Sequence, residues 1–202
     1  MSNYKIEDNQ ELNGESKQPP EIHEETNDEF KAKIEEAINR TFPGLTMFVR
    51  DVNLPEIIAC KYTPGRIIRE KAFVDASCRV GGMITTHRFA ILSNHMASLE
   101  SFEHGTNWGL YVAQRDSHFK VMAIHEYSKK TLILLLHLPD DENWKMFCNT
   151  QISIEDEIVS TSIDRFEKKC KLDAIPELTT DEWLKRCSFP IGMDDKGNLF
   201  EL

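Results

Sequence analysis

Six of the seven histidines fall between residues 87 and 137: His87, His95, His104, His118, His125 and His137, with Glu103 and Asp116 interspersed. Imidazole and carboxylate are the usual ligands of zinc and the usual general acids and bases. Spacing limits what these residues imply. The chain has no His-Glu-x-x-His, which would set two ligands on one helical face, and no Cys-x-x-Cys pair. His125 and His137 sit inside apolar strand patterns, where a hydrogen-bonded packing role is the simplest account. His95, His104 and His118 sit at strand edges or in loops and are the candidate metal ligands. Because the spacing is unpatterned, the purified protein is expected to hold substoichiometric metal, and no motif calls for a cofactor. His87, His95, His104, His118 and Asp116 are the candidate acid–base groups. Cys78, in Asp-Ala-Ser-Cys-Arg-Val-Gly-Gly, is the candidate nucleophile: Arg79 favours a thiolate, and His87 or His95 could serve as base. No cysteine-protease signature surrounds it. Gly81-Gly82 lacks the glycine spacing of a phosphate loop and reads as a bulge or strand corner.

The elements that position these residues centre on Trp108 to Pro139. Trp108, Leu110 and Val112 alternate with smaller or polar neighbours, as do Phe119, Val121, Ala123, His125 and Tyr127, which is the period of a strand. Leu132 to Leu136 is apolar throughout, so that strand should be covered on both faces. Short polar turns at 115–117 and 128–130 predict a three-stranded antiparallel meander over about 108–138. Further strands are expected at 45–52, 56–62 and 83–92, with Thr63-Pro64-Gly65-Arg66 as a type II turn. Helices are expected from Asn27 or Asp28 to Pro43, around Trp144 and Phe147 behind an Asp140 or Asp141 cap, and from Ser153 to Cys170. That last helix starts acidic and ends basic, complementing its dipole. Thr179 and Glu182 predict a last short helix. The fold expected is α+β, a mainly antiparallel sheet packed against mostly C-terminal helices.

Composition bounds the function. The 202 residues are 40% hydrophobic and 29% charged, as in soluble globular proteins. No apolar run approaches the ~20 residues of a membrane span, and no charged-then-apolar leader opens the chain. Residues 1–28 hold eight acidic residues against Lys5 and Lys17, so most of the net charge of −10 lies there. We expect residues 1–27 to form a disordered acidic tail and residues 28–202 one domain. Five cysteines without close pairing suggest a reducing, cytoplasmic setting. No basic run marks a nucleic-acid surface. Trp108, Tyr111, Phe119 and Tyr127 are candidate stacking groups, but Asp116 and Glu126 dilute the charge around them. The reading that follows is a small cytosolic binding or regulatory protein of immunity or antitoxin type, neutralising a protein partner, with no nucleic acid and no membrane. The alternative is a hydrolase-type enzyme, metal-dependent or not, using the histidine- and acid-rich loops at 87–118.

Overall fold

A computed structural model describes residues 27–148 and 152–202. The expected acidic tail lies almost entirely outside these residues. Among the described residues, eight strands form one sheet: β1 (Thr46–Val52), β2 (Ile67–Glu70), β3 (Val74–Ser77), β4 (His87–Ser93), β5 (Ala97–Ser98), β6 (Leu110–Ala113), β7 (Ser117–Tyr127) and β8 (Lys130–His137). Their order is β2-β7-β8-β4-β1-β3-β6-β5. The helices are α1 (Asn27–Thr41), α2 (Glu56–Ala59), α3 (Ser153–Cys170) and α4 (Asp181–Arg186).

This corrects the expected fold. The sheet is mixed, because its central strands β4 and β8 run parallel, Leu92 beside Leu136. The helices do not form a C-terminal layer: α1 precedes the sheet, and its Ala37 packs with Phe166 of α3 in the same apolar cluster. The three-stranded meander is also corrected. β7 and β8 pair as a hairpin, but β6 pairs with β3 and β5 instead of β7. The reason lies in two tight corners. Residues 71–73 join β2 to β3 and residues 114–116 join β6 to β7, while β2 pairs with β7 and β3 with β6. Two bent ribbons thus turn the same corner together, and the sheet folds over its own core. Asp116 takes φ +64° at that corner, a conformation Asp tolerates.

The alternation of β8 settles both faces. Ile133 and Leu135 join Phe48, Phe89, Phe119 and Val121 in the core inside the fold. Leu132, Leu134 and Leu136 face Phe147 and Phe166 on the helical side. All five residues from Leu132 to Leu136 are at most 1% exposed, as a strand covered on both faces must be. The expected strand at 56–62 is instead α2 with a following turn. Pro55 is its extended N-cap, φ −62° and ψ 146°, and its carbonyl accepts from the amides of Ile58 and Ala59.

On the helical side, Arg88 and Asp51 face each other across β4 and β1. The guanidinium makes two 2.7 Å bonds to the carboxylate and also donates to the carbonyls of Gly81 and Gly82. Gly81-Gly82 is therefore a close-packed corner: a Cβ on Gly82 would stand 2.0 Å from the Leu172 carbonyl oxygen.

Candidate functional site

The concavity beside the sheet corner is a cleft of about 540 Å³, lined by Arg50, Glu70, Phe73, Asp75, Arg186, Phe189 and neighbouring residues. Arg50 projects from β1 toward the inner core, in phase with Phe48 and Val52. It is 6% exposed, and its terminal nitrogens donate to the carbonyls of Asp75 and Phe189, both at 3.1 Å. Its Nε is buried without a hydrogen-bond partner, and no carboxylate among the described residues lies within ion-pairing distance.

Four carboxylates line the cleft, Glu70, Asp75, Asp194 and Asp195, and the first three are held by the protein's own groups. Glu70, buried at the end of β2, accepts the amide protons of Ala72 and Gly192 at 2.8 and 2.7 Å, one on each oxygen. Asp75 pairs with Arg186 at 2.8 Å, and Asp194 accepts from the amides of Lys196 and Asn198. Gly192 holds φ +82°, and a Cβ there would meet Ile68 at 2.9 Å, so the loop that delivers its amide to Glu70 requires glycine. Tyr62 donates to the Ile191 carbonyl at 2.7 Å. Burial, then the negative charge of Glu70, raises its phenol far above the ordinary range, so it stays protonated. Phe73 and Phe189 remain 61% and 56% exposed at the rim.

The sequence-nominated residues are placed elsewhere. His87 opens β4, buried, with Nδ1 2.8 Å from the Thr86 hydroxyl; burial lowers its pKa. Cys78 is half-buried, and burial and then the Glu100 charge raise its thiol. Its hydrogen-bond partner is Glu100 at 4.0 Å, not a histidine. His104 is exposed in a loop. Asp116 pairs with Arg69 at 2.8 Å. Glu103 is occupied by the amides of Trp108 and Leu110. His125 bonds Glu167 of α3.

A different grouping forms where β4 and β8 leave the sheet. His95 stacks on His137 at 3.9 Å, and His118 stacks on Trp144 at 4.3 Å. Among the described residues, His95, His137 and Asp140 alone form a set whose ligand atoms converge within 4.8 Å. Sequence reasoning missed His137 and Asp140 because the parallel pairing that brings β8 beside β4 leaves no local signature. It missed Arg50 because a lone arginine in an apolar strand is legible only as an anomaly: Phe48-Val49-Arg50-Asp51-Val52 was the available signal.

No family model matches the chain, and no curated protein matches it. Among solved structures it is similar to the type III effector XopAI from Xanthomonas axonopodis pv. citri, with 14% identity and a TM-score of 0.42, over 50% of this chain and 44% of that one. It is also similar to the ADP-ribosyltransferase HopU1 of Pseudomonas syringae pv. tomato DC3000, with 15% identity and a TM-score of 0.42, over 46% of each chain. A third is exoenzyme S from Pseudomonas aeruginosa, solved with human 14-3-3 protein beta and carba-NAD, with 9% identity and a TM-score of 0.39, over 54% of this chain and 55% of that one. The chain thus spans about half the length of these structures.

These similarities correct the functional expectation. One neighbour is named an effector, one an ADP-ribosyltransferase and one an exoenzyme, none an immunity protein or antitoxin, and the neutralising-binder expectation is withdrawn. The hydrolase alternative is withdrawn with it, since the loops at 87–118 place His104 on the surface and Asp116 in an ion pair. No helix among the described residues is long and apolar enough to cross a membrane.

Proposed function

We propose that the Arg50 cleft binds a nucleotide-class ligand, an anion bearing planar rings, and that NAD serves there as an ADP-ribosyl donor to a protein acceptor. The observation that carries this reading is Arg50: a buried guanidinium with an unpaired Nε and no carboxylate partner. A cation held out of water without a counter-ion is costly by several kcal/mol. An anion entering the cleft supplies the missing charge, and the planar guanidinium fork suits phosphate oxygens. The pyrophosphate of NAD meets that requirement, and its two ring systems suit the exposed faces of Phe73 and Phe189. Each oxygen of Glu70 accepts one amide and keeps a second lone pair, which fits a ribose hydroxyl.

Transfer of ADP-ribose breaks the bond between the ribose and the nicotinamide nitrogen, and nicotinamide leaves with that electron pair. An acceptor nucleophile forms the new bond and loses its proton. Calorimetric titration of the full chain with NAD tests the binding step. Saturable one-to-one binding is expected, weakened about tenfold or more in Arg50→Met, as for loss of a charge-assisted contact worth at least ~1.4 kcal/mol. No binding by the folded wild-type protein would refute it. The cytoplasmic location, and the division into an acidic tail at 1–27 and one domain at 28–202, belong to the same proposal.

A further inference from the structure

We infer that His95, His137 and Asp140 form a binding site for a divalent transition-metal ion of the zinc class, distinct from the Arg50 cleft and independent of the nucleotide reading. Two imidazole nitrogens and one carboxylate oxygen are a donor set such ions take, leaving a fourth position for water. The parallel pairing of β4 and β8 creates the site. With Leu92 beside Leu136, both strands leave the sheet at the same end, and the next residues of each chain meet.

The hydrogen bonds orient the donors. Asn94 Nδ2 donates to the carbonyls of Arg40 and Pro43, at 2.7 and 3.0 Å. Its Oδ1 must therefore be the atom 2.8 Å from His95 Nδ1, and it can only accept. His95 Nδ1 carries the proton, and Nε2 presents a lone pair. That Nε2 is buried without a hydrogen-bond partner of normal geometry and lies 3.8 Å from Asp140 Oδ1, while the ring also faces the Leu138 carbonyl. A lone pair facing a carboxylate oxygen lacks the cation that both would bind.

His137 lies deeper. It is 1% exposed, its Nδ1 lies 2.9 Å from the Ser93 hydroxyl, and its unpartnered Nε2 lies 3.9 Å from the same Asp140 oxygen. Such outer hydrogen bonds are what metal-bound histidines use to fix their rings. Ligand atoms around tetrahedral zinc stand roughly 3.4 Å apart, so the set must contract by about half an ångström at these two distances. Arg40 and His118 are the nearby groups that oppose a cation; Arg40 is drawn to Asp141 at 2.5 Å.

The experiment uses untagged full-length protein stripped with chelator, titrated with zinc, and followed by melting temperature and by bound zinc per chain. One zinc per chain and a raised melting temperature are expected. His95→Asn and Asp140→Asn, with side chains 29% and 44% exposed in the parent, should fold by circular dichroism and lose that binding. Asn94→Ala should weaken it by about ten- to a hundredfold, as for an outer-shell partner. A Cys60→Ser/Cys148→Ser variant should bind as the wild type does, since these exposed thiols are the competing ligands. An unmoved melting temperature, or stoichiometric zinc retained in the His95→Asn/Asp140→Asn double variant, overturns the site.

Discussion

Replacing Arg88 with Met breaks the buried ion pair between β4 and β1. The guanidinium is 2% exposed and the Asp51 carboxylate 10%, so water compensates little when one partner is removed. Breaking such a buried pair costs about 3–5 kcal/mol, because a carboxylate is left without its cation. With a urea slope of about 2 kcal/mol/M, the denaturation midpoint should fall by roughly 2 M. The double variant Arg88→Met/Asp51→Leu removes the stranded charge and should recover much of this loss. It should not recover all of it. Arg88 also donates to the carbonyls of Gly81 and Gly82, and two acceptors left without partners cost about 1 kcal/mol each or more. The expected order is therefore wild type, then double variant, then Arg88→Met. An Arg88→Met cost below about 1 kcal/mol, or a double variant no better than the single, would refute the reasoning.

Leu134→Ala should cost about 2–5 kcal/mol in chemical denaturation, since Leu134 is fully buried; a loss under about 1 kcal/mol would remove β8 from the core. Gly82→Ala should destabilise by about 1–3 kcal/mol, because the new Cβ would overlap the Leu172 carbonyl, and an unchanged melting temperature would contradict that packing. His137 is held far below its ordinary pKa by burial first and then by the charges of His95 and His118. The unfolded chain therefore binds a proton that the folded chain refuses. Stability is complete above about pH 6.5 and falls as pH drops through that value, by up to about 1.4 kcal/mol per pH unit for each such histidine. Melting temperatures of metal-stripped protein should show this slope, and His137→Gln should flatten it; equal slopes in the two proteins would exclude His137 as its source.

What the sequence made legible follows from how local each cause is. The helix from Ser153 to Cys170 was readable because its apolar stripe and end charges are written within 18 residues, although the N-cap is Ile152 and no side chain bonds there. The type II turn at 63–66 was readable from Pro64 and Gly65; Gly65 takes φ +85°, and the Arg66 amide closes onto the Thr63 carbonyl. Double-sided burial of Leu132–Leu136 was readable because no polar residue interrupts it. Pairing was not. The turn before β7 looks like a hairpin turn, yet it is a sheet corner, and only the matching corner at 71–73, some 40 residues earlier, distinguishes the two. The short apolar run at 56–62 was read as a strand, but it turns helical, its first turn closed by the Pro55 carbonyl accepting from Ile58 and Ala59. Among the site residues, His95 was in view from the start. Its partners His137 and Asp140 depended on a parallel strand pairing, and Arg50 depended on carbonyls from β3 and from the segment after α4, 139 residues away.

The central claim is that Arg50 is a buried cation awaiting an anionic ligand, and a crystal structure of the protein saturated with NAD tests it most directly. Density is expected for the dinucleotide in the cleft, with pyrophosphate oxygens within hydrogen-bonding distance of the Arg50 guanidinium and a ring against Phe73 or Phe189. NAD bound at another surface, or a cleft left unfilled by ligand at saturating concentration, would contradict it.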